Sequence, residues 1–178
     1  MHKPLTAQRD DEIFDVVDDC DRVIGQATRK EVHARRLLHR ATHVLVFDRA
    51  GKVFLQKRSM LKDTAPGCWD SSCSGHLDSG EDYVTAAIRE LEEEIGVVAR
   101  PEQLRHHLQL PPSPDTGWEF VAIFSLQHDG PMITNPAEIE RGDWFEPDVL
   151  SRGLVEKPGE FTKPLRLHWE KVRGEVGK

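Results

Sequence analysis

The chain is short of several things, and each shortage removes a class of function. Cysteine is scarce: Cys20, Cys68 and Cys73 make an odd number at spacings that fit no zinc pattern, so neither a disulfide framework nor a zinc site is expected. Positive charge is in deficit, with 24 Lys+Arg against 31 Asp+Glu and a net charge of -7, which argues against a nucleic acid polymer or an anionic membrane as partner. A small anionic substrate stays open, because a bound divalent cation can supply the positive charge that the side chains lack. Long apolar runs are missing: no segment approaches a membrane span, and Met1-His2-Lys3-Pro4-Leu5-Thr6 has no signal-peptide core, so the expected location is cytoplasmic. No internal repeat or low-complexity tract is present.

What is there describes one globular unit. With 178 residues, 38% hydrophobic and 31% charged, the chain can bury a real core but is short for two domains. One domain over 1–178 is expected, with an N-terminal hairpin and short helix (1–38) ahead of a core (39–178). Strands are expected at 13–17 and 23–27 around the turn composition Asp18-Asp19-Cys20-Asp21, then at 39–47, 53–56, 118–126 and 143–145. Thr28 can cap a brief helix running to Leu38, and 161–172 has the spacing of an amphipathic helix. Between 81 and 95 the period becomes 3.6: Val84, Ala87, Ile88, Leu91 and Ile95 share one face, Ser79 can cap the start and Gly96 the end.

That helix carries the chemistry. Glu90, Glu93 and Glu94 stand at i, i+3 and i+4, within an arc of about 100°. Carboxylates so crowded repel one another unless a cation neutralises them, and hard oxygen ligands favour Mg²⁺ or Mn²⁺. Arg89 stands four residues before Glu93 and can pair with it. A glutamate-rich helix face is commonly just solvated surface, but Gly75-His76-Leu77-Asp78-Ser79-Gly80-Glu81 in front of it supplies a glycine where backbone can approach a ligand closely.

Together Gly75, Glu81, Arg89, Glu90, Leu91, Glu93, Glu94, Gly96 and Val97 resemble a complete Nudix box, G-x5-E-x7-R-E-U-x-E-E-x-G-U with U aliphatic, and no position departs from it. The resemblance implies an α/β/α sandwich with a mixed sheet and a metal-dependent attack of water on a diphosphate. Carried over by position, it makes Glu90, Glu93 and Glu94 metal ligands with the carbonyl of Ser74 or Gly75. Glu90, Glu93, Glu94 and Arg89 form the catalytic set, and Glu81 is a structural or outer partner. The implied cofactor is Mg²⁺, or Mn²⁺, and the implied partner is a small diphosphate molecule. A monomer and a homodimer both stay open.

Flanking residues narrow the branch. Leu38-His39-Arg40-Ala41, Gln56-Lys57-Arg58-Ser59, Lys62-Asp63-Thr64-Ala65-Pro66-Gly67, and Trp69 followed by Ser74-Gly75-His76 resemble isopentenyl diphosphate isomerase and bacterial Nudix hydrolases related to it. The resemblance implies that Arg58 and Lys62 hold the diphosphate. It also implies a second metal site from His39, His76 and His33 with the later glutamates Glu138 and Glu140. Two departures speak against the isomerase: its essential cysteine position is Ser74 here, and where its cation-stabilising tryptophan is expected the chain has Gly159-Glu160-Phe161. Cys73 would face the other side of a strand. The functions in view are therefore a Mg²⁺-dependent diphosphate hydrolase, the isomerase, and a non-catalytic diphosphate-binding module.

Overall fold

The computed structural model describes residues 8–174, so the reading of the first six residues lies outside it. Strands β1 (Ile13–Val17) and β2 (Val23–Thr28) pair antiparallel as a small separate sheet. Asp18 makes their turn, its Oδ1 accepting from the backbone N–H of Cys20 at 2.9 Å and of Arg22 at 3.0 Å. Thr28 and Glu31 then form a capping box at the start of α1 (Arg29–Arg35). The helix stops short of the expected Leu38 because Arg36 turns left-handed, with φ 54°.

The main sheet contains β3 (His39–Phe47), β4 (Val53–Arg58), β5 (Trp69–Asp70), β6 (Cys73–His76), β7 (Arg105–Leu110), β8 (Glu119–Gln127) and β9 (Ile139–Phe145). The order β5-β4-β3-β8-β7 is joined by β6 on β3 and by β9 on β4. β3 and β8 run parallel and the other pairs antiparallel, so the sheet is mixed, as expected.

Alternation along β3 explains the layers. Val44 and Val46 face α2 (Tyr83–Ile95) and pack with Leu91 and Ile95. Ala41, Leu45 and Phe47 face the other way, against Leu150 of α3 (Pro147–Glu156) and Leu165 and Trp169 of α4 (Lys163–Arg173). Each fully buried side chain of this size contributes roughly 1.5–3 kcal/mol, so β3 is clamped from both faces. The result is an α/β/α sandwich.

Several boundaries differ from the sequence expectation. The cap of α2 is Asp82, which accepts from the N–H of Thr85 at 2.8 Å. Ser79 is used elsewhere, donating to Asp15 Oδ1 at 2.7 Å and so tying the hairpin to the loop before α2. Glu81, expected inside the helix, lies in that loop. Strand β7 and helix α3 were not expected at all, and β9 begins before Asp143.

Candidate active site

Strand β6 is four residues long, and its pleat divides the site in two. Gly75 faces α2, while Ser74 and His76 face the opposite side, across from His43 and Ala41 of β3. Cys73 points into the core beneath α2 and is fully buried, on the face opposite Ser74 as a strand requires.

On the α2 side the glycine is a steric necessity. A Cβ at Gly75 would lie 2.0 Å from Oε1 of Glu90, so the carboxylate occupies the space a side chain would need. Glu94, one turn on, accepts from the backbone N–H of Ser74 at 3.0 Å and from Nε2 of Gln56 at 2.9 Å. Both carboxyls are buried. Burial and the neighbouring Glu94 push Glu90 up to about 8, and burial pushes Glu94 up to about 7 despite Lys62, whose Nζ lies 3.7 Å away. Glu93 sits at the open edge, its side chain 58% exposed.

Arg89 organises the group. It clamps Glu81 through Nε and Nη2, both at 2.9 Å, and its other nitrogen reaches Glu90 at 2.8 Å and Glu93 at 3.2 Å. Nη2 also donates to the carbonyl of His76 at 3.0 Å, locking the helix to β6. Glu81 in turn accepts from the N–H of Asp78 at 2.8 Å. Arg89 thus sets carboxylate positions, with its guanidinium engaged on every side.

On the other face of β6, His33, His39 and His76 bring one nitrogen each to within 4.8 Å of one another. Nδ1 of His39 lies 2.9 Å from the carbonyl of Leu37, the arrangement that fixes a ligating imidazole with Nε2 bare. That Nε2 is buried with no hydrogen-bond partner and lies 3.3 Å from Oε1 of Glu119, while His76 Nε2 is 3.0 Å from the same oxygen. Burial, with the neighbouring imidazoles, pulls His33 down to about 4, and burial also lowers His76. Phe14 of β1 stacks on His76 with centroids 4.7 Å apart, so the hairpin closes this pocket.

The glutamates expected with these histidines are placed differently. Glu138 pairs with Lys62, and Glu140 lies 3.4 Å from Lys57 Nζ. The carboxylate among the imidazoles is Glu119, which the sequence reading missed. β8 runs parallel to β3 with Glu119 directly beside His39, and the only sequence sign was an acidic residue opening an apolar strand.

Both sets open onto one cleft of about 600 Å³, which Arg58 and Lys62 also line. Arg58 is braced by Asp70 at 3.0 Å and by the Thr64 carbonyl at 3.1 Å. Lys62 lies between Glu138 and Glu94. A family model for the NUDIX domain matches residues 37–165. The chain belongs to the Nudix hydrolase family.

Relatives agree with this. An uncharacterized Nudix hydrolase of Yersinia pestis is 35% identical over 156 residues, covering 88% of this chain and 85% of its own. A Serratia proteamaculans protein named isopentenyl-diphosphate Delta-isomerase is 33% identical over 154 residues, covering 85% and 86%. Among solved structures, a Deinococcus radiodurans protein superposes with a TM-score of 0.75 over 94% of this chain and 100% of its own, at 24% identity, which speaks to the fold. Nudix hydrolases act on small molecules and generally use divalent cations; among the described residues, no helix is long and apolar enough to cross a membrane.

Proposed function

We propose that the chain is a Mg²⁺-dependent hydrolase that cleaves a diphosphate linkage in a nucleoside diphosphate derivative or a similar small molecule. The carrying observation is the pair Glu90 and Glu94: two buried carboxylates, one turn apart, both pushed toward the protonated form by burial. Such a pair is costly unless a cation shares it, and its donor set, all oxygen, suits Mg²⁺ or Mn²⁺ better than a soft metal. Glu90, Glu93, Glu94 and the carbonyl of Gly75 would hold it. Bound there, the ion would polarise the phosphoryl oxygens and lower the pKa of the attacking water.

The chain's own groups do the rest. Arg89 keeps the carboxylates in register, and Arg58 and Lys62 line the wall where an anionic substrate would lie. His33, His39, His76 and Glu119 would form a second metal site, supported by three imidazole nitrogens within 4.8 Å of one another; Glu138 and Glu140 belong to other ion pairs. The isomerase reading has a relative's name behind it, but this cleft presents the hydroxyl of Ser74, and no tryptophan is among the described residues that line it.

The test is a panel of nucleoside diphosphate derivatives, sugar nucleotides, dinucleotides and isopentenyl diphosphate, incubated with Mg²⁺ and followed by ³¹P NMR. Hydrolysis of at least one phosphoanhydride supports the proposal. Conversion of isopentenyl to dimethylallyl diphosphate would establish the isomerase, and binding without turnover the non-catalytic module.

A further inference from the structure

A hydrogen-bond chain outside both acidic sets ends in the cleft at His43. This residue lies directly opposite Ser74 across β3 and β6, is 5% exposed, and lines the cleft. Its Nδ1 lies 2.9 Å from Ser71 Oγ, and the same hydroxyl lies 3.2 Å from Nε2 of His168 on α4. Ser71 and His168 are fully buried. Burial lowers both imidazoles from the ordinary histidine value, His168 to about 3, so both are neutral near pH 7.

The proton positions then follow. A hydroxyl carries one proton, so Ser71 donates to one imidazole and accepts from the other. The remaining nitrogen of His168, Nδ1, is buried with no hydrogen-bond partner. A buried N–H without an acceptor is rarer than an unfilled lone pair, so His168 keeps its proton on Nε2 and gives it to Ser71 Oγ. Ser71 donates onward to His43 Nδ1, which must be bare, and the single proton of His43 is left on Nε2. Asp70 does not compete for Nδ1. Its Oδ1 is 3.8 Å away and already accepts from Thr162 Oγ1 at 2.7 Å and the Ser71 N–H at 2.8 Å, while Oδ2 takes Arg58.

We propose that His43 presents a neutral Nε2–H donor, locked in one tautomer by Ser71 and His168, that binds a phosphoryl oxygen of the substrate. This rests on the diphosphate reading of the cleft. An uncharged donor beside Arg58 orients an acceptor-only group without adding to the positive charge that must later release the product. A ligand lacking an acceptor at that point would leave the N–H unpaired and be rejected.

Imidazole ¹H–¹⁵N spectra of the intact protein test the tautomer without any turnover, the His43 signals being assigned by their loss in His43→Phe. The expected result is a bare Nδ1 and a protonated Nε2 whose proton moves downfield when methylenediphosphonate and Mg²⁺ are added. A protonated Nδ1, or an Nε2–H that saturating probe leaves unmoved, overturns the proposal. In kinetics on whichever compound the panel shows to be cleaved, His43→Phe should raise KM roughly tenfold or more with a smaller effect on kcat. His43→Gln, which carries an N–H at a similar reach, should recover most of that. An unchanged KM in a folded His43→Phe protein also overturns it. If the probe shifts Nε2–H in a protein that cleaves nothing on the panel, the donor site stands and the hydrolase reading falls.

Discussion

Replacing Gly75 by alanine is the sharpest perturbation of the site's architecture. The new Cβ would meet Glu90 Oε1 at 2.0 Å and its carboxyl carbon at 2.3 Å, so the carboxylate must retreat by about 1 Å or more to reach a normal contact, or β6 must shift on β3. Retreat breaks the 2.8 Å bond to Arg89. Overpacking costs about 1–3 kcal/mol and a charge-assisted hydrogen bond about 1.5–3, so Gly75→Ala should destabilise by about 2.5–6 kcal/mol. Urea denaturation measures this, and a double-mutant cycle assigns it. In a Glu90→Ala background the space is vacated, and Gly75→Ala should cost under about 1 kcal/mol, a coupling of at least about 1.5. Glu90→Ala alone should cost less than Gly75→Ala, since it removes a buried carboxyl without overpacking while Arg89 keeps Glu81 and Glu93, yet it should abolish most activity. Equal cost of Gly75→Ala in both backgrounds would refute the claim that Glu90 is the reason for the glycine.

The remaining predictions follow from the same geometry. Because Glu90 and Glu94 hold protons up to about pH 8 and pH 7 when folded, against an unfolded value near 4.5, these two groups bind more protons in the metal-free folded protein than in the unfolded chain over that window, while the depressed histidines His33, His43, His76 and His168 act in the opposite sense below about pH 6.5. Above about pH 7, where those histidines are neutral in both states, stability should fall toward pH 8, and Mg²⁺ should raise Tm more at pH 8 than at pH 6; scanning calorimetry showing the reverse order would contradict this. Neutralising Arg58 or Lys62 should weaken binding of a non-hydrolysable diphosphate by roughly ten- to a hundredfold, read by calorimetric titration. Arg58→Ala should also destabilise the fold, because it leaves buried Asp70 without its cation. Ser74→Cys should give little or no isomerase activity, measured by NMR on isopentenyl diphosphate, because one acid–base group is restored without cation stabilisation.

How much of this was legible depended on whether a feature is local. Helix α2 could be read because the apolar stripe Ala87, Leu91, Ile95 and the terminator Gly96 lie within one continuous segment. The six-residue edge strand β7, Arg-His-His-Leu-Gln-Leu, buries only Leu110, so it shows no clean alternation. Helix α3 buries only Leu150 and contains Gly153, which fits because a Cβ there would come within 3.1 Å of Phe161; only Pro147 at its start was a usable sign. The site divides the same way. Carboxylates on one helix were predictable from spacing, whereas Glu119 joins His39 only through parallel strand register, and the chain from His168 through Ser71 to His43 is assembled from three separate elements. Nothing in a linear pattern announces such a meeting.

The central claim, that the carboxylates of α2 hold the cation that drives diphosphate hydrolysis, is tested by titrating Mg²⁺ against the hydrolysis rate for the parent, Glu93→Gln and Glu94→Gln. Glutamine keeps the size of each side chain, and at position 94 it can still accept from Ser74, so folding should persist. The account predicts a loss on the order of a hundredfold or more at limiting Mg²⁺ in each variant, with an unchanged fold by circular dichroism. Parental rates and parental Mg²⁺ dependence in both variants would contradict it.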